Sequence, residues 1–440
     1  MKSPSTVPAA RCKSLLATFW RAACQARVMA ELLTYNSIPK LACSACRACN
    51  TMSGCRNVRL RYAAHRSREG SSLTVYRYAI AIAVYVAALP FGAMAETFVY
   101  VAAAGDGVID SYRLDEGTGA LTPLGSTEVG TGVGPMAINF QGKYLYAVVR
   151  SQPYRVLSLG IDQTTGALTT QAVAALPENL AYVALDPLGR LLLGASYGGG
   201  KVATLPVGAD GLISAGTKQL LPAGRNAHAI MTDQKGQFAY STALGTDKIL
   251  TYRIEGGLLV PLGSISTGEG SGPRHMVLSP DGARLYVLTE LTGEVLHMGI
   301  DPVSGALTEV ERVSILPPDT DLQPGLDPAA PKDDEARIWA ADLVLTPDGR
   351  HLYASERRTS RISLLETGDS GPLRLVDTYP TEQQPRDIGI DPQGRFLIVT
   401  GEKSDHVAVY GIGSEDGHPD MKGRFPVAAG ANWVEILRTR

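Results

Sequence analysis

Arg274 and His275 open a short hairpin that Glu290 closes. Between them lie an apolar run (Met276 to Leu278), the turn signal Ser279-Pro-Asp-Gly282, and an apolar return run (Leu285 to Leu288). Proline's fixed φ suits such a turn, and glycine is free to take φ > 0. A hairpin brings its two ends side by side, so Arg274, His275 and Glu290 are predicted on one face, away from the turn. Guanidinium groups bind carboxylate or phosphate bidentately. Guanidinium or imidazolium stabilises an oxyanion as a carbonyl is attacked, and Glu or His takes a proton from water. That set fits metal-free hydrolysis of a reactive, anionic ester, with Arg274 and Arg337 holding the anionic end or carbonyl and Glu290 or His228 activating water. It equally fits capture of an anion without chemistry. The chain has no Walker loop and no His-Glu-x-x-His.

The hairpin recurs. Its turn glycines are Gly142, Gly189, Gly236, Gly282, Gly349 and Gly394, spaced by 47, 47, 46, 67 and 45 residues. A second phrase (Gly119-Ala-Leu, Gly166-Ala-Leu, Gly305-Ala-Leu and their counterparts) keeps the same step. Seven copies of a unit of about 46 residues, each with four short strands, signal an all-β, seven-bladed β-propeller. Thr97–Ala103 lacks an inner strand before it, and Ala431–Leu437 lacks a hairpin after it. These two are predicted to pair and close the ring, which would otherwise expose a long unpaired edge.

Strict repetition predicts which residues meet. Eight back from each turn glycine lie Gly134, Ala181, His228, Arg274, Ala341 and Arg386; eight forward lie Arg150, Tyr197, Leu244, Glu290, Arg357 and Glu402. Both sets belong to one face: the first surrounds the central channel, and the second lies one strand further out. His228, Arg274, Glu290 and Arg337 are the candidate catalytic residues, with His275 and Arg386 as candidate substrate-binding groups. Residues 314–336, five of them prolines, lengthen one connection by about 20 residues and read as a loop crossing that face. It is either a lid or an inert insertion.

Charge is asymmetric. Residues 1–95 hold 13 of the 41 Lys and Arg but only two acids, leaving a net of −13 on the remainder, which argues against nucleic acid as a partner. All six cysteines precede residue 56, so the propeller has neither disulfide nor thiol nucleophile. Cys43-x2-Cys46-x2-Cys49 is a poor match to iron–sulfur spacing. Arg77, the apolar run Tyr78 to Leu89 and Ala93-Met-Ala95 read as a secretory signal. The expected divisions are therefore a poorly structured or mistranslated leader over 1–71, a signal-like segment over 72–95, and the propeller over 96–440. Export would place the mature protein in the periplasm or outside, with no stable membrane association after cleavage; without export it is cytoplasmic. The oligomeric state is not legible.

Gly-Pro-Arg274-His275-Met-Val, Leu-Thr-Glu290-Leu, Arg337-Ile-Trp-Ala-Ala-Asp-Leu, Gln384-Pro-Arg386 and Gly401-Glu-Lys-Ser-Asp-His-Val-Ala-Val-Tyr410 resemble the seven-bladed propeller lactonases, bacterial 6-phosphogluconolactonases in particular, over roughly 97–440. The resemblance implies hydrolysis of 6-phosphogluconolactone to 6-phosphogluconate in the pentose phosphate route, with no metal or other cofactor. Related fungal muconate-lactonising propellers use a His, Arg and Glu set, and by position the resemblance carries it onto His228, Arg274, Glu290 and Arg337. The chain departs from the family pattern before His228 and in the long insertion. An export signal would instead point to unphosphorylated aldonolactones, or to a non-catalytic propeller binding an anionic ligand or protein.

Overall fold

A computed structural model describes residues 95–213, 216–368 and 372–439 of the chain. The expectations for residues 1–94, including the cysteines and the apolar run, lie outside the described residues. Seven four-stranded antiparallel sheets form the blades. From the first blade to the seventh, the innermost strands are Ala431–Arg438, Val133–Ile138, Tyr182–Leu185, Ala227–Thr232, Pro273–Leu278, Ala340–Leu345 and Pro385–Ile390. Each innermost strand touches the next, and Pro385–Ile390 touches Ala431–Arg438, so the ring is continuous. The outermost strands are the most exposed, and Leu307–Ser314 alternates half-buried and exposed residues. The second strands, such as Phe396–Gly401, are buried throughout because both their faces meet neighbouring blades.

Two repeated devices explain the sequence period. Each hairpin turn closes on a glycine with φ between 63° and 75°; in the fifth blade Gly282 N–H donates to Ser279 O at 2.9 Å. The second glycine phrase is a blade-to-blade staple. A Cβ on Gly305 would sit 2.5 Å from Phe238, and one on Gly166 would sit 2.5 Å from Phe98, so only glycine fits. Tyr100 and Tyr146, both buried, donate to Gly166 O at 3.1 Å and Gly211 O at 2.6 Å.

Closure follows the predicted pairing. Thr97–Ala103 pairs with Arg438–Ala431, from Thr97 opposite Arg438 to Ala103 opposite Ala431. Trp433 joins the core shared by the first and second blades, and Val434 the core shared by the first and seventh.

The innermost strands are irregular at one level. Register slips by one residue at 134–135, 228–229, 274–275, 341–342, 386 and 432. Two residues on the inner strand then oppose one on its partner, which breaks the alternation of side chains. Hydroxyls take up the displaced backbone groups. Thr242 Oγ1 donates to Arg274 O at 2.6 Å, Thr400 Oγ1 donates to Asp387 O at 2.9 Å, and Ser355 Oγ accepts from Asp342 N–H at 3.0 Å.

Deleting residues 428–440 removes the innermost strand of the first blade and several buried apolar side chains. The expected result is a melting temperature lower by at least about 10 °C and a broadened transition, read by far-UV circular dichroism; an unchanged melt would show that closure does not hold the ring.

Candidate active site

The bulges allow consecutive residues to serve the axial opening. Arg274 is 1% exposed and His275 3%, although a regular strand would send them to opposite faces. The ends of the second strands supply a second circle: Arg150, Tyr197, Glu290 and Arg357 each follow the last residue of such a strand. Both circles line one cavity of about 220 Å³, walled by Arg150, Arg274, Arg357, Arg386, His228 and Glu290, with Tyr197 and Trp339 at its side.

Glu290 is the pivot. Its Oε2 lies 2.8 Å from Arg357 Nη2 and 2.9 Å from Arg274 Nε, the latter an ion pair whose N–H is not directed at the oxygen. Neither contact uses Oε1. Burial alone would raise the Glu290 carboxyl, but Arg357 and Arg274 outweigh it and hold the group below the usual carboxylate range. Arg357 is fixed from several sides: its guanidinium lies 3.9 Å over the Trp339 ring and donates to Trp339 O at 3.1 Å and Ala340 O at 2.8 Å. Arg274 donates to Ala341 O. Burial, then Arg357, pulls Arg274 down to about 9, so it stays a cation at neutral pH. Arg386 pairs with Glu402 at 3.0 Å, and Arg150 donates to Asn179 Oδ1 at 2.8 Å. Four guanidinium groups facing one carboxylate leave the cavity positive, so it is an anion site.

The two histidines are neutral. Burial, followed by Arg274 and His275, lowers His228 well below its ordinary value, and its Nδ1 hydrogen-bonds no protein group. Burial and Arg274 hold His275 at about 4 against the pull of Asp342. His275 Nδ1 lies 2.6 Å from Asp342 Oδ1. Asp342 Oδ2 accepts from Ile388 N–H at 3.0 Å, and Asp387 Oδ2 from Val434 N–H at 2.7 Å. His275, Asp342 and Asp387 thus bring three potential metal-donor atoms within 4.8 Å of one another, yet they bond one another and backbone amides. Burial and the Asp342 carboxylate push Asp387 well above the usual carboxylate range.

The structure brings together His228, Arg274, Glu290 and Arg386, with His275 directly beneath. Arg337 does not join them. Its Nε donates to Asp333 Oδ1 at 2.8 Å and its Nη1 to Pro324 O at 2.7 Å. It lines an outer cavity of about 380 Å³ that shares Tyr197, Glu290 and Trp339 with the inner one. The insertion explains the displacement: it supplies Asp333 four residues before Arg337, while Arg357 and Trp339 take the sixth blade's place at the opening. The insertion also walls the outer cavity. It is fastened by Arg225, whose Nη1 and Nη2 each lie 2.6 Å from an Asp327 oxygen, and by Gly325 N–H to Leu291 O at 2.7 Å. Arg150, Tyr197 and Arg357 fall in the eight-forward register of the sequence but were expected further out. Asn432, Asp342 and Asp387 carry no signal in that register, because the bulges that turn them inward are a property of strand pairing.

Residues 98–436 match the family described as lactonase, seven-bladed β-propeller. The chain is 35% identical over 343 residues to a 6-phosphogluconolactonase of Pectobacterium carotovorum, covering 77% of this chain and 98% of that one. It is similarly 35% identical to a 6-phosphogluconolactonase of Sodalis glossinidius, with the same coverage. Among solved structures, a putative 6-phosphogluconolactonase of Bacteroides uniformis superposes with a TM-score of 0.68 at 25% identity, over 78% of this chain and 99% of that one. A periplasmic gluconolactonase of Pseudomonas aeruginosa gives a TM-score of 0.68 at 23% identity, with the same coverage, and shares the fold.

Glu435, half-buried on the innermost strand of the first blade, is held at about 7 by burial, with Asp342 adding to the rise and the Trp433 indole N–H opposing it. Between its ordinary value of 4.5 and about 7, the folded ring keeps a proton that the unfolded chain has lost. This contribution therefore weakens stability as pH rises through that window. Glu435→Gln is expected to remove up to about 3 kcal/mol of that pH dependence, measured by denaturant unfolding across the window; an unchanged slope would show that Glu435 titrates normally.

Proposed function

Because the chain belongs to the seven-bladed β-propeller lactonase family, we propose that it hydrolyses a sugar lactone, with 6-phosphogluconolactone, the substrate in the name of its relatives, as the first candidate. One observation carries this reading: four guanidinium groups converge on a single cavity around one ionised carboxylate. A lactone carbonyl seated between Arg274 and Arg357 would develop negative charge on its oxygen during attack, and preorganised cations in a buried site stabilise that charge. Glu290 keeps both guanidinium groups aimed and limits their mutual repulsion. Arg386 and Arg150 would hold the substrate's anionic or hydroxyl groups, and neutral His228 would accept a hydrogen bond from a sugar hydroxyl. No step is routed through a metal. The inner cavity is smaller than the span of about 300–1,000 Å³ usual for drug-sized ligands, which suits a single sugar ring, and the outer cavity gives a phosphate room to extend.

A second substrate reading rests on the apolar run Tyr78 to Leu89 with Ala93-Met-Ala95. If that segment directs export, the mature chain starts at Glu96, in the periplasm or outside, and meets unphosphorylated aldonolactones, because phosphorylated sugar lactones are cytosolic. N-terminal sequencing of the protein from the periplasm and medium decides between them.

A pH-indicator assay on δ-gluconolactone and its 6-phosphate, with spontaneous hydrolysis subtracted, tests the activity. The wild type is expected to accelerate at least one of the two. Glu290→Gln is expected to lower kcat at least about tenfold, and Arg386→Ala to raise KM about tenfold, with circular dichroism unchanged. Binding of either lactone without hydrolysis would make the protein an anion-binding propeller instead.

A further inference from the structure

Beneath the 220 Å³ cavity, sharing Arg150, Arg274 and Arg386 with it, lies a separate chamber of about 10 Å³. That is room for about one water. Its wall is polar and tightly fitted. Gly134 borders it, and a Cβ there would meet the Arg150 side chain at 2.9 Å, so glycine is what lets that guanidinium stem lie across the chamber. Two acceptors belonging to residues of this wall hydrogen-bond no protein group: His275 Nε2 and Asn432 Oδ1. Both residues are more than nine-tenths buried, where an unmatched polar atom costs roughly 1–3 kcal/mol.

The orientation of each acceptor is fixed by its neighbour. His275 Nδ1 faces Asp342 Oδ1 at 2.6 Å. At that distance an imidazole N–H donates to a carboxylate oxygen, so Nδ1 carries the hydrogen that Asp342 Oδ1 accepts. Nε2 is left with a lone pair. Asn432 Nδ2 donates to Val133 O at 3.2 Å, which settles which end of the amide is the oxygen. A site with two acceptors on one wall and guanidinium donors on another complements the two hydrogens and two lone pairs of one water.

We propose that this chamber seats the attacking water, hydrogen-bonded to His275 Nε2 and Asn432 Oδ1, and that His275, oriented by Asp342, is the base that takes its proton. This rests on the lactone-hydrolysis reading. It moves proton acceptance one layer below Glu290, whose ion-pair partners Arg274 and Arg357 weaken it as a base. In the step, a water O–H bond breaks and its proton goes to His275 Nε2, giving an imidazolium beside the Asp342 carboxylate. The water oxygen bonds the carbonyl carbon, and the carbonyl π pair moves onto the oxygen facing Arg274 and Arg357. Collapse breaks the ring C–O bond. The imidazolium proton passes to the departing ring oxygen, leaving a hydroxy acid and neutral His275. An anionic substrate on the guanidinium ring offsets the repulsion that Arg274 exerts on the imidazolium, so His275 becomes a stronger base when the site is filled.

His275→Ala in the full chain is expected to lower kcat about a hundredfold with KM within about twofold, and added imidazole is expected to restore part of the rate. Asp342 is a positioning residue: Asp342→Asn is expected to lower kcat, but the double variant should be no slower than His275→Ala alone. A crystal structure of the wild type that resolves ordered waters should show one within hydrogen-bond reach of both His275 Nε2 and Asn432 Oδ1. That reading stands even if His275→Ala fails to fold. A folded His275→Ala enzyme with kcat within about threefold of wild type, or a well-ordered chamber with no such water, overturns the proposal. A wild type that accelerates no lactone, while the water is in place, overturns the base role through the hydrolysis reading and leaves the water seat supported.

Discussion

The site depends on one departure from ideal strand geometry, the extra residue in the innermost strands. In a regular pleat only every second side chain of an inner strand would reach the axial opening. A slip of one residue at a common level lets Arg274 and His275, and likewise Arg386 and Asp387, lie at successive depths. The upper layer carries the cations and the lower layer the imidazole and acids. Each displaced backbone group must still find a partner, and a threonine or serine on the adjacent strand supplies it. The second strand of a blade is therefore part of the site, although its hydroxyl touches no cavity.

Charge then sets how the layers behave. Four guanidinium groups in an enclosed space repel one another, and burial adds to the cost of each. Glu290 offsets this for Arg274 and Arg357, and Glu402 does so for Arg386. Burial, with the same positive field adding to it, keeps both histidines neutral. Below, burial and the Asp342 carboxylate raise Asp387 well above the usual range. The channel is thus stratified: cations above, neutral imidazoles between, and two aspartates underneath.

The ring that carries this arrangement is held by contacts remote from it. Tyrosine-to-glycine staples and closely packed glycines fix each blade to the next, and the terminal strand closes the circle. Stability of the ring and composition of the opening are thereby separated. The insertion between the fifth and sixth blades exploits that separation. It adds an outer wall and removes Arg337 from the opening, while the hairpin it leads into keeps the same turn and pairing as its neighbours.

The sequence alone determined the number of blades, the pairing that closes them, and the face on which His228, Arg274, Glu290 and Arg386 gather. Those follow from local rules: turn glycines with positive φ, strands of fixed length, and a repeat that carries equivalent residues to equivalent places. Hints of the bulges are present in Pro135, Pro273 and Pro385, which cannot donate to a ladder, but they do not say which neighbour turns inward. Only the tertiary structure decided that Arg357 rather than Arg337 completes the cation ring, and that His275, Asp342 and Asn432 form a floor around a water-sized chamber. Those outcomes depend on register between strands, on the course of a loop without a period, and on which acid captures which guanidinium. None of these is written in the spacing of residues along the chain.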